Sequence, residues 1–148
     1  MPAASETLSA NLQRVLVNLV DLQLLGKQAH WNITGKNFRD IHLQLDEIIE
    51  LARSHGDLIA ERLRALEAEP DGRAATVSRD SDLPDYPDGL VDVGKTVALV
   101  VEALDAAAGS VRSIRDQVDE EDPATTDLLH AIILDLEKQR WMLSMEAV

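Results

Sequence analysis

Histidine and carboxylate side chains hold hard and borderline divalent metals, and here they recur at helical spacing. His42 and Asp46 are four residues apart, as are Asp57 and Glu61, so within each pair both side chains share one helix face, a turn apart. At 100° per residue, taking His42 as zero, Asp46 lies at about 40°, Asp57 at about 60° and Glu61 at about 100°, whereas His55 lies at about 220°. Four candidate ligands share a face and His55 does not. One straight helix cannot wrap them around a single ion, because His42 and Glu61 would stand roughly 28 Å apart.

Symmetry offers a solution, since the residue numbers of His42 and Glu61, and those of Asp46 and Asp57, both sum to 103. Two copies packed antiparallel about a twofold axis near residues 51 and 52 would set His42 against Glu61 of the second copy and Asp46 against its Asp57. A twofold contact is the commonest between identical chains, and it would generate two identical sites about 22 Å apart. His30 joins because the turn between the helices is centred near Lys36, which makes His30 and His42 neighbours in an antiparallel hairpin. Two imidazoles and up to three carboxylates, without sulfur, suit Fe(II), Mn(II) or Zn(II). Several carboxylates also help to stabilise a higher oxidation state, which points towards iron oxidation. The competing reading is ordinary: carboxylates at this spacing also make a solvated helix face.

The elements that must position these residues are legible from proline and apolar periodicity. Proline is excluded from helix interiors, and the five prolines stand at positions 2, 70, 84, 87 and 123. Apolar residues recur at 8, 12, 15, 19, 22 and 29, and again at 41, 45, 48, 52, 59, 63 and 66, the stripe of an amphipathic helix. Thr34-Gly35-Lys36-Asn37 separates the series, with Gly35 suited to a helix end and Asn37 to the next N-cap. Residues 70 to 89 hold three prolines and two glycines and read as a connector with one short helical turn near Ala74 to Arg79. Its length suggests a crossover along a bundle. A third stripe runs through Val97, Val100, Leu104, Ala107, Val111, Ile114 and Val118. Asp122-Pro123 then marks a stop and restart, with Asp122 as N-cap and Pro123 in the first helical position. Leu129, Ile132, Leu136 and Leu143 form the fourth stripe. The expected fold is an all-α four-helix bundle made of two hairpins.

Composition agrees. The 148 residues are 45% hydrophobic, with 14 basic against 27 acidic residues and a net charge of -13, so the acid must coat a folded body rather than form a disordered tail. The absence of cysteine excludes disulfides and thiolate metal sites. Met1 to Ala10 carries no basic stretch followed by an apolar one, and no apolar run approaches the roughly 18 residues that span a bilayer. A cytoplasmic location with no membrane association is expected.

The run from Lys27 to Arg62, with His30-Trp31-Asn32, Gly35, Asn37-Phe38, His42, Asp46, Asp57 and Ala60-Glu61-Arg62, closely resembles the signature of the Dps family, the mini-ferritins. The bundle pattern extends the likeness over residues 1–148 as one ferritin-like domain. The resemblance implies a four-helix ferritin-like subunit with a short helix in the connector between the second and third helices, assembled as a hollow dodecamer. It implies Fe(II) oxidation, preferentially by hydrogen peroxide, between twofold-related subunits, with the Fe(III) product stored as mineral. Carried over by residue, His30, His42 and Asp46 match ligands from one subunit, and Asp57 and Glu61 match those from its partner. Trp31 would flank the site as an oxidisable trap for stray radicals, or else fill the hairpin corner. Ordinary ferritins use Glu-x-x-His within one bundle; that motif is absent here, and Asp127-x-x-His130 is its nearest approach, either a separate metal site or, as the better reading, a surface pair at the start of the fourth helix.

Asp116, Asp119, Glu120, Glu121, Asp122 and Asp127 cluster around the junction of the third and fourth helices. They read as a solvated turn or, by resemblance, as an acidic iron inlet at a threefold axis, with Asp122 and above all Asp127 as its residues. DNA binding in many members depends on a Lys-rich tail. Met1 to Leu12 and Trp141 to Val148 contain neither Lys nor Arg, and the acidic surface repels phosphate, so DNA binding is not expected. The alternative is a DNA-coating protein that binds iron incidentally.

Overall fold

The protein is described by a computed structural model covering residues 3–146; Met1, Pro2, Ala147 and Val148 lie outside the described residues, and with them the outermost parts of the two end stretches. Five helices follow one another: α1 Glu6–Asn32, α2 Phe38–Ala65, α3 Ala74–Asp80, α4 Val93–Glu121 and α5 Pro123–Met145. The hairpins α1–α2 and α4–α5 pack together as a four-helix bundle, and α3 lies in the crossover against α1. Every apolar position of the four sequence stripes is buried, so the 3.6-residue period fixed both which face turns inward and how the helices pair.

α1 starts at Ser5, whose hydroxyl accepts the Leu8 N–H, satisfying one of the donors that a helix start leaves free. The Ser5 backbone N–H donates to Glu121 at 3.0 Å, and its hydroxyl also reaches that carboxylate. The end of α2 is closed by a Schellman turn: Ala68 N–H donates to Leu63 O at 2.9 Å and Glu67 N–H to Arg64 O at 3.0 Å. Glu67 takes the left-handed conformation there, at φ 63°, a position usually held by glycine.

The turn between α1 and α2 departs from the expected chemistry. Asn37 does occupy the N-cap of α2, but in a left-handed conformation and without a side-chain cap bond. Gly35 has φ 115° and follows a short strand, β1 Ile33–Thr34, rather than closing α1 directly. β1 pairs in parallel with β2 Val91–Asp92 at the end of the crossover, Ile33 opposite Val91. This bridge was invisible in the sequence, because two residues carry no periodicity. It ties the tip of the first hairpin to the start of α4, where Asp92 caps the helix by accepting from Lys95 N–H at 2.9 Å. Close approach of α1 and α2 is permitted at Gly26, where a Cβ would lie 2.7 Å from Ile49 Cγ1.

Candidate metal centre

The hairpin brings His30 and His42 together. Their rings stack with centroids 3.6 Å apart and planes 12° from parallel. Each ring bonds to the backbone of the other residue: His30 Nδ1 lies 2.6 Å from His42 O, and His42 Nδ1 lies 2.7 Å from His30 O. A carbonyl oxygen only accepts, so each Nδ1 carries its proton, and these bonds leave each Nε2 unengaged. The arrangement has a structural use too. His30 sits in the last turn of α1, whose carbonyls have no partner within the helix, and His42 supplies one.

Asp46 stands beside this pair. Its Oδ1 lies 3.6 Å from His30 Nδ1 and 2.7 Å from Lys27 Nζ. The hydrogen bond from Lys27 holds the Asp46 carboxyl below the usual carboxylate range, and charge on His30 and His42 acts in the same direction. An anion fixed beside two imidazoles favours positive charge at this end of α2. Lys27, which pairs with Asp46, is not among the sequence candidates. The hairpin arithmetic that paired His30 with His42 sets residue 27 against residue 45, one position from Asp46, and would have found it.

Asp57 and Glu61 are not part of this cluster. Both stand exposed on the outward face of α2, and Glu61 is separated from His42 by about 28 Å of helix. Among the described residues, no three His, Asp or Glu side chains are placed to hold a metal ion within one chain. The single subunit brings His30, His42 and Asp46 together at one end of α2 and leaves Asp57 and Glu61 as exposed carboxylates further along the same helix. His55 faces away, as its helical angle requires, and its Nε2 pairs with Asp135 of α5 at 2.6 Å.

Trp31 does not fill the hairpin corner: it is 69% exposed and borders a surface cleft of about 400 Å³ shared with Leu24, Gln28 and Tyr86. At the α4–α5 junction the acidic residues divide by role. Glu121 is engaged by Ser5, and Asp122 is bonded by Arg62 at 2.7 Å and by Thr125. These two bonds, Thr125 first, hold the Asp122 carboxyl below its ordinary range. Asp127 remains open, its side chain 88% exposed and 3.9 Å from His130 Nδ1. Arg115 donates to His130 Nε2 at 3.1 Å, so the Asp127-x-x-His130 pair is a surface arrangement with its imidazole already occupied.

The sequence profile of the ferritin-like domain matches residues 9–146. A protein of Agrobacterium fabrum named DNA protection during starvation protein is 34% identical over 141 residues, which is 95% of this chain and 87% of the relative. The chain belongs to the Dps family of ferritin-like proteins. Its fold superposes on Dps92 of Deinococcus radiodurans with a TM-score of 0.92 at 30% identity, covering 95% of this chain and 85% of that one. A Dps from Microbacterium arborescens, described in its high iron form, matches with a TM-score of 0.90 at 30% identity over 99% of this chain and 98% of that one. Both the all-α, ferritin-like architecture and the short crossover helix are those of a Dps subunit. No helix among the described residues is long and apolar enough to cross a membrane.

Proposed function

We propose that this Dps-family chain binds Fe(II) at sites completed by two copies of itself, oxidises it preferentially with hydrogen peroxide, and stores the Fe(III) product inside a hollow dodecamer. The observation that carries this reading is the half-built centre: two tautomer-locked imidazoles and Asp46 at one end of α2, two exposed carboxylates, Asp57 and Glu61, at the other. Leu43 and Leu58, both 46% exposed, lie near the same outward face and give a self-contact apolar surface to cover. The high iron form of the M. arborescens relative supports iron as the cargo.

In this reading His30, His42 and Asp46 of one subunit and the Asp57 and Glu61 carboxylates of the other bind the substrate iron, and the carboxylates favour the ferric product. Peroxide accepts two electrons from two ferrous ions, and with two protons gives two waters and two Fe(III), so no hydroxyl radical need be released. Trp31, beside His30, would intercept any radical that escapes. Asp127 at the start of α5 would draw cations towards the shell, whereas the Asp122 charge is already matched by Arg62. The name of the A. fabrum relative speaks of DNA protection. With a net charge of -13 repelling phosphate, we assign protection here to the removal of iron and peroxide in the cytoplasm rather than to a coat on DNA. Unchanged DNA mobility in a gel at low salt supports that assignment, and a stable shifted band refutes it.

The test is the peroxide-driven oxidation of Fe(II) by the wild type and by the His30→Ala/His42→Ala double variant, with assembly followed by light scattering. Loss of most of the rate with the assembly intact supports the site, and an unchanged rate removes it.

A further inference from the structure

The Asp122 carboxylate forgoes the ordinary task of its position. It stands at the N-cap of α5, where a carboxylate normally accepts from the backbone N–H groups of the first turn, yet it makes no such bond. It turns instead to Arg62 Nη2 at 2.7 Å, while Arg62 Nε donates to Thr125 Oγ1 at 2.8 Å and the Thr125 hydroxyl donates to Asp122. The three side chains form a closed ring, with Thr125 fully buried and the Arg62 and Asp122 side chains 25% and 16% exposed. A local rule broken in favour of a more distant contact marks a position where something other than helix stability was being served.

Arg62 immediately follows Glu61. We propose that Arg62 is a positioning residue: its fork on Asp122 and Thr125 fixes the direction of the last turns of α2 against the α4–α5 elbow, so that Glu61 arrives in register at the half-site of the neighbouring copy. This rests on the two-chain site proposed above. The lever arm explains why a clamp is needed there. Glu61 lies nine to ten residues from the axis near residues 51 and 52, about 14 Å along the helix. A tilt of α2 by only about 4° moves it by about 1 Å, which exceeds the roughly 0.5 Å tolerance of a working constellation. The apolar anchors near this end, Ile59, Leu63 and Leu66, fix its depth in the core. The Arg62 ring adds directional bonds to the opposite hairpin.

A double-mutant cycle on metal binding tests the idea, with Co(II) as probe, read by its visible absorption and by titration of the assembled shell. Arg62→Gln is expected to weaken Co(II) binding several-fold and to alter its spectrum, Glu61→Gln to weaken it at least as much, and the double variant to lose little beyond Glu61→Gln alone. Thr125→Val, which removes both hydroxyl bonds and keeps the Arg62–Asp122 charge pair, should give an intermediate spectrum, and it serves in place of Arg62→Gln should that chain fail to assemble. Co(II) binding unchanged in both Arg62→Gln and Thr125→Val, even with a lowered melting temperature, overturns the positioning role and leaves Arg62 a structural strut. Losses that simply multiply in the double variant overturn it as well. If Glu61→Gln itself leaves Co(II) binding unchanged, the two-chain site falls first, and the positioning role falls with it.

Discussion

Replacing His42 by Phe separates the two tasks of that residue. A benzyl ring keeps the stack on His30, at 3.6 Å between centroids, and leaves little cavity. It removes the Nδ1–H that reaches His30 O at 2.7 Å. That carbonyl lies in the last turn of α1, where the helix offers no partner, and His30 itself is 8% exposed. Leaving such an acceptor unsatisfied costs about 1–3 kcal/mol, and solvent access on the side of His42, which is only half-buried, favours the lower half of that range. At about 2–4 °C per kcal/mol for a chain of this size, the variant should melt about 2–8 °C below the wild type in metal-free buffer. The control is His130→Phe at an exposed surface pair, for which less than about 0.5 kcal/mol is expected. Matched scan rates keep the comparison valid if unfolding is irreversible. A His42→Phe variant as stable as the wild type would refute the reciprocal imidazole–carbonyl lock, and with it the argument that both Nε2 atoms are free for a ligand.

Three further outcomes follow from the packing and the ion pairs. Gly26→Ala places a methyl group 2.7 Å from Ile49 Cγ1; overpacking of about 1–3 kcal/mol outweighs a helix-propensity gain of about 1 kcal/mol, so chemical denaturation should show a net loss that Ile49→Ala relieves. Glu67→Gly, at φ 63°, should stabilise the end of α2 by up to about 1 kcal/mol, read as a higher denaturation midpoint. Asp82, bonded by Arg14 and Asn18, and Asp122, bonded by Thr125 and Arg62, both have carboxyls held below the usual range. The unfolded chain therefore takes up these protons at a higher pH than the folded one, so their contribution is complete above about pH 4 and lost as the pH falls through the lowered folded values. Melting temperatures measured downwards from pH 5 should fall, and Asp82→Asn or Asp122→Asn should flatten that fall while lowering the plateau above it.

Much of the fold was open to a reading of the chain because four apolar stripes with the helical period leave one way to bury themselves, and because Pro70, Pro84, Pro87 and Pro123 bar helix from the places where the chain turns. The pairing of His30 with His42 was readable for the same reason: a hairpin with a known centre fixes which residues are opposite. What escaped was local or depended on a third element. Asn37 was read as a side-chain cap, but the turn needs its tolerance of the left-handed region more than its amide. The Ile33–Val91 bridge joins segments far apart in sequence and too short to show a pattern. Sequence shows the charge of Asp122 and not its partner: Arg62 arrives from the other hairpin to match that charge. Trp31 was open to two readings from sequence, and its exposure removes the corner-filling one.

The claim on which the rest depends is that one subunit supplies the imidazoles and its neighbour the outer carboxylates. Co-expression of a His30→Ala/His42→Ala chain with an Asp57→Asn/Glu61→Gln chain tests it directly, by Fe(II) oxidation with peroxide. Each variant alone should assemble and be inactive, since every site in it lacks one half. In shells mixed at random, half of the twofold pairs are hybrids, and each hybrid holds one complete site of two, so about a quarter of the wild-type rate should return. A mixed shell as inactive as its parents, with hybrid pairs shown to be present, would contradict the account.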